Sequence, residues 1–556
     1  MRRWVQAGCM VAVMSGLTGC ATYGDQQQAA LIAIEQGDYA TAESQFTVAL
    51  ETQARNELLY FLEVGMVRHL AGDYAGSNAM LQRADELRDT LGFNSLGVQF
   101  QNFMSSPAMG TYHGATYEFA YVNYFKALNY LALAQQTGDN QWLDAARVEA
   151  RRLEIILNEF AANEGDYLTV ATSEDEQAAG FLQVLRVLNG QYVDPNSLIY
   201  RDDAWARFLA GIAYENLREW DSARVAYQAA ANAYEQGYAE QYQLGAEATR
   251  LAWTSTVRMM RTGGGWADEW PRLVEAKGLS EEETRPLAAD EAMLLVVEHT
   301  GFIPPIGELN LFLSKREAAK SLVLEPVITG DEAQQLEQLG WFTLHYADTG
   351  IIDLLARYQA GGLWQVLDDP LRSKQVQLGP LWDVADEVGL LNGIGPLGVR
   401  VSVPYYPPAY DEPTASELRL NGASHGTVVA MANIEQLARQ ERLRLAQDEM
   451  MAALLRETIK NAANQWVSEV ASSGDDGLAL LFNLAGRAAA TATARAETRH
   501  WVTLPSWARA NAVRYKSVAG EPIALSLHAD EQTLWAQDVV LQPGKVNIFY
   551  ARTFGH

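Results

Sequence analysis

The chain has 556 residues, a net charge of −27 and a pI near 4.7. This length accommodates two or three domains, and the acidic balance, with no basic patch or arginine run to offset it, argues against a nucleic acid partner. The only cysteines are Cys9 and Cys20, which excludes disulfides, thiolate metal sites and a cysteine nucleophile in a chain that begins at Cys20.

The first twenty residues have the layout of an export signal. Two arginines form a basic start, Trp4–Gly16 is an almost uncharged apolar run, and Leu17-Thr18-Gly19-Cys20 follows. These last four residues resemble the lipobox of bacterial lipoproteins, in which the cysteine is acylated and the signal is cut just before it. The alternatives are a secretory signal with a coincidental cysteine and a transmembrane anchor, although an anchor needs roughly 20 apolar residues. We predict a signal peptide over residues 1–19 and lipidation of Cys20.

The lipoprotein resemblance also implies a location. Ala21 follows the cysteine, where an aspartate would be the inner-membrane retention signal of Gram-negative bacteria. Two or three acyl chains hold a protein firmly, because each buried methylene contributes about 0.8 kcal/mol. We therefore expect attachment to the outer membrane, on its periplasmic face, through the lipidated cysteine and a short tether over residues 20–28.

Internal repeats indicate the fold of the next region. Gly37-Asp38-Tyr39 recurs as Gly72-Asp73-Tyr74, and a third copy begins at Gly211. This pattern resembles the tetratricopeptide repeat, whose paired helices approach closely through small residues while large ones fill the gaps. The third copy continues with Tyr214, Trp220, Ala223, Tyr227 and Ala230. We predict an α-solenoid over residues 29–275, the alternative being an ordinary helical domain.

Solenoids usually bind partners on their concave face, so side chains predicted to point there are candidate partner-binding residues. One group is an aromatic stripe at helical spacing and the other lies on the first helix of the third repeat. They are Tyr117, Tyr121, Tyr124, Trp205, Phe208, Ile212 and Glu215. An aromatic stripe at this spacing is more often a helix core than a ligand surface.

The composition changes after Gly263, where a linker leads to residue 290. Ala292–Val297 is a continuous apolar run typical of a buried strand, and Val399–Val403 alternates like a strand. We predict a mixed α/β region over residues 290–432 and a helical segment over 433–500. Within that segment Glu435, Arg439 and Arg442 are expected to form a solvated face, and the apolar run 478–494 a buried helix.

Period-two patterns dominate the end of the chain. Strands are predicted over Ile523–Leu527, Thr533–Leu541 and Val546–Tyr550, separated by turn residues. We expect a β-rich region over residues 501–556 that ends in a small antiparallel sheet. The predicted fold class is therefore α+β, with an N-terminal α-solenoid followed by a mixed region.

A second resemblance rests on Ala496–Pro505, which reads AETRHWVTLP, together with Glu298–Pro305, Arg456–Lys460 and Ala146–Leu153. These segments resemble a largely uncharacterised family of bacterial lipoproteins with a tetratricopeptide-like N-terminal region. The resemblance implies no catalytic residues. Its members are often encoded near lipoproteins that activate penicillin-binding proteins, which implies work in the cell envelope. Residues 306–398 fit the family pattern least, so we expect an insertion there. From the residues themselves, we expect Arg499 to pair with an acid and Trp501 to fill a core.

Two motifs could carry chemistry. Gly422-Ala423-Ser424-His425-Gly426 fits the G-x-S-x-G elbow, in which Ser424 would be the nucleophile and His500 or His528 the base. The β-branched residues after it favour a hairpin turn instead. Gly393–Gly398 is a literal G-x-G-x-x-G, but Pro396 and a following strand favour a loop over a dinucleotide site.

These observations favour a non-enzymatic lipoprotein that acts as a protein-interaction scaffold in the cell envelope, with a link to peptidoglycan synthesis implied by the second resemblance. A serine hydrolase using Ser424 and an accessory subunit of an envelope secretion or transport assembly are the alternatives. The scattered histidines and acids predict no metal and no cofactor.

Overall fold

The computed structural model describes residues 22–51, 53–91, 110–164, 198–346, 372–387, 390–394, 398–407, 415–446, 449–450, 453, 495–516 and 520–554. The predicted lipidation residue Cys20, the apolar run 478–494 and the middle of the Gly393–Gly398 motif lie outside these residues.

The described N-terminal part is helical. Its helices are α1 Tyr23–Glu35, α2 Tyr39–Leu50, α3 Glu57–Leu70, α4 Tyr74–Leu91, α5 Thr116–Thr137, α6 Gln141–Glu164, α7 Ala204–Asn216, α8 Trp220–Ala233, α9 Ala246–Gly263 and α10 Trp270–Ala276. A π-helical turn, Tyr234–Tyr238, and a short helix, Ala239–Gln241, extend α8. No helix of the described residues has both the length and the apolar character needed to cross a bilayer.

Consecutive helices form antiparallel hairpins. Gly37 and Gly72 occupy equivalent turns with φ of +74° and +77°, a conformation that glycine adopts without steric cost. In the later hairpin formed by α7 and α8, a Cβ on Gly211 would lie 2.6 Å from Tyr227 Cδ1. The predicted pairing of a small and a large residue at this helix contact is therefore present.

The first helix begins earlier than predicted. Thr22 Oγ1 accepts a hydrogen bond from the Asp25 amide at 3.3 Å, and the Asp25 carboxylate accepts from the Thr22 amide at 2.8 Å. This capping box starts α1 at Tyr23. The predicted tether over residues 20–28 is therefore wrong from Thr22 onward, because most of it is helix.

Strands dominate the described residues after α10. They are β1 Glu291–Thr300, β2 Gly307–Arg316, β3 Ser321–Val327, β4 Lys374–Gln377, β5 Val399–Tyr405, β6 Glu417–Leu420, β7 Ala423–Thr427, β8 Val429–Asn433, β9 Trp507–Lys516, β10 Pro522–Ala529, β11 Gln532–Val540 and β12 Val546–Thr553. The intervening helices are α11 Glu332–Tyr346, α12 Leu381–Glu387, α13 Leu390–Ile394 and α14 over residues 434–446.

Three four-stranded sheets result. The central sheet has the order β12-β1-β9-β8, the outer sheet β11-β10-β6-β7, and the side sheet β4-β3-β2-β5. In the central sheet β1 pairs in parallel with β12 and antiparallel with β9. The three C-terminal strands form as predicted, but the expectation that they make one small antiparallel sheet is wrong. The strands β10 and β11 join the outer sheet, whereas β12 joins the central one.

The central sheet is covered on both faces. Met293, Leu295 and Val297 of β1 belong to the core shared with the helices, and Leu294 and Val296 belong to the core shared with the outer sheet. All ten residues of β1 are buried as a result. The continuous apolar run at Ala292–Val297 is therefore a buried strand, as predicted, and it is apolar throughout because both of its faces are covered.

The solvated face predicted for α14 is wrong. Arg439 is 1 % exposed and Glu435 is 9 % exposed. The Arg439 guanidinium bonds to the carboxylate of Glu435, the side-chain oxygen of Gln436 and the carbonyl of Pro407. A charged pair at helical spacing thus lies inside the molecule, where full hydrogen bonding compensates its desolvation.

Residues 495–506, which we name the clamp segment, join the helices to the sheets. The Ser506 amide donates to the Thr300 carbonyl at the end of β1, and the Ser506 carbonyl accepts from the first amides of α14. Arg499 pairs with Glu497 and donates to Asn56 Oδ1 at 2.9 Å. Trp501 is fully buried. Both expectations for this motif are confirmed: Arg499 pairs with an acid and Trp501 fills a core.

Two buried carboxylates receive the backbone of the clamp segment. Glu63 of α3 accepts hydrogen bonds from the amides of Val502 and Thr503, at 2.9 and 3.2 Å, and from the Thr503 hydroxyl at 2.6 Å. Glu118 of α5 accepts from the Trp501 amide at 2.8 Å. Three consecutive backbone amides, which the extended segment cannot satisfy internally, are thereby paired inside the protein.

Burial disfavours the ionised form of the Glu63 carboxyl. Burial raises the pKa of its carboxyl to about 8, while the hydrogen bonds from Thr503, Val502 and Tyr23 act in the opposite direction. A neutral carboxyl can still accept from both amides and donate its own proton to the hydroxyl of Tyr23 or Thr503. Glu63 therefore holds the segment in its protonated form over most of the physiological range.

We predict that Glu63→Gln destabilises the fold by about 2–4 kcal/mol. Each carboxyl oxygen of Glu63 accepts from a backbone amide, so the amide nitrogen of glutamine must face an N–H wherever it lies. Urea unfolding of the full chain at pH 5 measures the difference.

The pH dependence of this difference has a definite sign. The folded-state pKa lies above the unfolded value, so protonation of Glu63 stabilises the fold fully below pH 4.5, and that stabilisation is lost as the pH rises towards 8. The advantage of wild type over Glu63→Gln should shrink between pH 5 and pH 9. Glu86→Gln, at a carboxyl half exposed beside Arg83, is the control and should stay within about 0.5 kcal/mol of wild type. A pH-independent loss, or an equal loss at residue 86, would refute the role given to Glu63.

Candidate functional site: a cleft between helices and central sheet

The predicted partner-binding side chains are buried. None of them exposes more than 5 % of its surface: Tyr117, Tyr121, Tyr124, Trp205, Phe208, Ile212 and Glu215. The reason is that the inner face of the helices packs against the central sheet of the same chain. The prediction of an accessible concave surface at these residues is corrected, and the core interpretation of the aromatic stripe is confirmed.

Tyr124 illustrates what these residues do. Its hydroxyl oxygen accepts from Trp205 Nε1 at 2.9 Å and lies 2.9 Å from His299 Nε2. The indole can only donate, so the tyrosine proton goes to the histidine. Burial lowers the pKa of His299 well below its usual value, which keeps the ring neutral and able to accept. A chain of hydrogen bonds thus joins α5, α7 and β1.

Phe208 and Ile212 differ from the other five, because they border an open cleft. The cleft has a volume of about 580 Å³ and lies between α7, α8 and α9 on one side and β1, β9 and β12 on the other. This volume is within the usual range for ligand sites in proteins. Its floor is apolar and is formed by Phe208, Ile212, Met293, Leu295 and Val546.

One wall of the cleft is a single face of α9. The lining positions are 247, 250, 251, 254, 255 and 258, which recur at the three- and four-residue spacing of one helix face. The neighbouring helix positions Ala248 and Ala252 are fully buried. The helix therefore uses one face for packing and presents another, more polar face to the cleft.

On the sheet side, the cleft has space because the side chains of β9 that face the helices are small. Ala508, Ala510 and Ala512 face the helices, since they lie in register with His299, Val297 and Leu295. Ala508 and Ala510 are covered completely, whereas Ala512 lines the cleft. The strand β9 is not among the predicted strands. The alternating alanines are the sequence signal that could have indicated both this strand and the cleft beside it.

Most cations around the cleft are paired with carboxylates. Arg258 forms two hydrogen bonds with Glu215, Arg250 contacts Glu283 at 2.6 Å, and Arg285 contacts Glu291 at 2.6 Å. Glu215, one of the predicted partner-binding residues, is therefore buried as the ion-pair partner of Arg258 and is not exposed for binding.

Arg514 of β9 is different. Its guanidinium donates to the carbonyl oxygens of Glu283, Arg285 and Pro286, and within the described part of the chain it forms no ion pair. Burial, together with the nearby charges of Arg258 and Arg285, lowers the pKa of Arg514 to about 10. The nearby carboxylates of Glu291 and Glu282 act in the opposite direction, so the side chain is a cation at neutral pH that lies near acids without forming an ion pair with a described residue.

The serine motif forms a β-hairpin. Asn421 and Gly422 have φ of +49° and +80°, as a two-residue hairpin turn requires, and Ser424 lies exposed on β7. Its hydroxyl is hydrogen-bonded to Glu417, which lowers the pKa of that carboxyl. The rings of His500 and His528 bond to other groups. A hairpin is found where the hydrolase elbow would need a strand-to-helix turn.

No family model, curated protein or solved structure matches this chain. All three resemblances drawn from the sequence, to the lipobox, to the tetratricopeptide repeat and to the lipoprotein family, therefore stay predictions. Among the residues that the structure describes, no group of three or more histidine, cysteine, aspartate or glutamate side chains is arranged to hold a metal ion.

We predict that Tyr124→Phe lowers the unfolding free energy by about 2–4 kcal/mol, because it leaves Trp205 Nε1 and His299 Nε2 unpaired in the core. Urea unfolding monitored by tryptophan fluorescence provides the measurement.

Tyr60→Phe is the matched control. Tyr60 is half-buried on α3, and its hydroxyl makes no hydrogen bond to another described residue, so its removal should change stability by less than about 0.5 kcal/mol. Equal effects of the two substitutions would contradict the role assigned to Tyr124.

Proposed function

We propose that this chain is a lipoprotein of the cell envelope, held on the periplasmic face of the outer membrane by Cys20, that serves as a non-catalytic scaffold and binds a partner protein at the cleft. The observation that carries the binding role is the cleft itself. The inner face of the helices is occupied by the chain's own strands, and the cleft is a concave surface that they leave open.

Contacts at the start of α1 support the anchoring role. The Tyr23 amide donates to Thr498 Oγ1 at 3.1 Å, and the Tyr23 hydroxyl donates to Glu63 at 3.2 Å. The first helical residue is therefore bonded to the clamp segment. Two residues, Ala21 and Thr22, lie between Cys20 and Tyr23, and the three steps along the chain reach about 10 Å, so an acylated Cys20 would hold the body close to the bilayer.

The helical hairpins support the tetratricopeptide-like assignment, since their turns repeat at equivalent glycines and their contacts alternate small and large residues. The family resemblance supports a link to peptidoglycan synthesis. Both remain parts of the proposal.

We expect Cys20→Ala to move the protein from the membrane fraction to the soluble periplasmic extract, because the sulfur that carries the acyl chains is removed. Fractionation with carbonate and detergent washes measures this. Cys9→Ala, within the apolar part of the signal, should leave the protein on the membrane. Membrane retention of the Cys20 variant would refute the lipid anchor.

Site-specific photocrosslinking tests the cleft as the partner site. A crosslinking amino acid at Leu251, which lines the cleft, should give one discrete adduct in intact cells. The same group at Val225, 50 % exposed on α8, should not. Ala512→Leu should abolish the Leu251 adduct by filling the cleft. An adduct that is equal at both positions, or that persists after filling, would place the partner elsewhere.

A further inference from the structure

The chemistry of the cleft indicates what it binds. Its floor is apolar, its walls carry three arginines, and Arg514 alone among them has no carboxylate partner in the described residues. Two hydroxyls on the α9 wall, those of Thr254 and Ser255, also make no hydrogen bond to any described residue. The cleft therefore offers an apolar surface next to unused hydrogen-bond donors and one cation that forms no ion pair with a described residue.

The surroundings select against highly charged ligands. Glu247 and Glu282 are exposed at the rim, with Glu283 beside them, and the whole chain carries a net charge of −27. A phosphate ester or polyanion entering the cleft would meet these carboxylates. A single negative charge placed at Arg514 gains a charge-assisted hydrogen bond and meets less of that repulsion than a polyanion does.

We propose that the cleft binds a monocarboxylate attached to an apolar body, with the carboxylate at Arg514 and the apolar body on the floor formed by Phe208, Ile212 and Leu295. A fatty acid and the C-terminal residue of an apolar peptide share this chemistry. The inference rests on the proposed function, because it specifies the group through which the cleft recognises its partner.

Binding of the proposed ligand requires the charge of Arg514 and the open space beside Ala512, and each can be removed by a separate substitution. The guanidinium sits at the end of the cleft on β9, two residues from Ala512, and both face the helices. Replacing Arg514 removes the cation and leaves the space, whereas Ala512→Leu fills the space and leaves the cation. A ligand of the proposed class requires both.

Calorimetric titration of the full-length Cys20→Ala protein tests the proposal with defined probes. Dodecanoate, below its micellar concentration, represents the fatty acid, and N-acetyl-Val-Leu-Phe with a free carboxyl represents the peptide end. Dodecanol and the C-terminally amidated peptide are the matched uncharged probes. We expect at least one carboxylate probe to bind at least about ten-fold more tightly than its uncharged counterpart, because only the carboxylate can form a hydrogen-bonded ion pair with Arg514.

The variants assign the binding to named residues. Arg514→Gln and Ala512→Leu should each weaken the carboxylate probe about ten-fold or more, whereas Arg272→Gln, at an exposed arginine on α10, should leave it unchanged. Arg514→Lys, which keeps the charge, should bind more tightly than Arg514→Gln and serves if the glutamine variant is unstable. The probe that binds identifies the source of the carboxylate.

Several results would overturn the inference. They are no binding by either carboxylate probe, equal binding by the uncharged probes, or no effect of either cleft substitution. If these occur while the Leu251 adduct still forms, the ligand class is wrong and the partner site stands. If the adduct is also absent, the proposed function fails at the cleft.

Discussion

The fold depends on two buried carboxylates that receive consecutive backbone amides of the clamp segment. Glu63 and Glu118 lie on different helices, and together they pair the amides of Trp501, Val502 and Thr503. An extended segment inside a protein needs such partners, because unpaired amides are costly away from water. The same segment then bonds to β1 and α14. The helices and the central sheet are therefore held by this polar contact, among others, as well as by their shared apolar core.

This contact explains why most of the inner face of the described helices is covered and only the cleft is left open. Solenoid repeats bury their inner side chains against a neighbour or a ligand, and here the neighbour is the central sheet. Tyr124, which accepts a hydrogen bond from Trp205, bonds across that boundary to His299 of β1, which makes the boundary specific as well as apolar. Sequence patterns identify which side of a helix is apolar, but they do not tell whether the chain itself or a partner covers it.

The sequence patterns predicted individual helices and strands better than they predicted which strands pair. The buried run of β1 and the alternation in β10, β11 and β12 follow from local periodicity, whereas the parallel pairing of β1 with β12 depends on contacts between residues about 250 apart. The strand β9 was missed because alanine has a low β propensity, even though Ala508, Ala510 and Ala512 alternate. Likewise, Glu63 and Glu118 interrupt apolar helical runs, and a lone acid in such a run indicates a buried, hydrogen-bonded carboxylate. Of the cleft, sequence reasoning predicted Phe208 and Ile212 but not Arg514.

The cleft depends on the same alternating alanines that make β9 hard to predict from its sequence. Among the small residues on the helix-facing side, Ala508 and Ala510 are fully covered in the core shared with the helices, whereas Ala512 lines the open cleft. The next helix-facing position is Arg514, whose charge cannot be buried beneath those helices without a partner. Carbonyl oxygens of the turn before β1 accept from three of its five N–H groups, and within the described part of the chain the other two are free for a ligand. An arginine placed in this way at the end of an apolar cleft is stabilised when an anion arrives, and that gain is available only to a ligand whose remaining surface is apolar enough to stay on the floor.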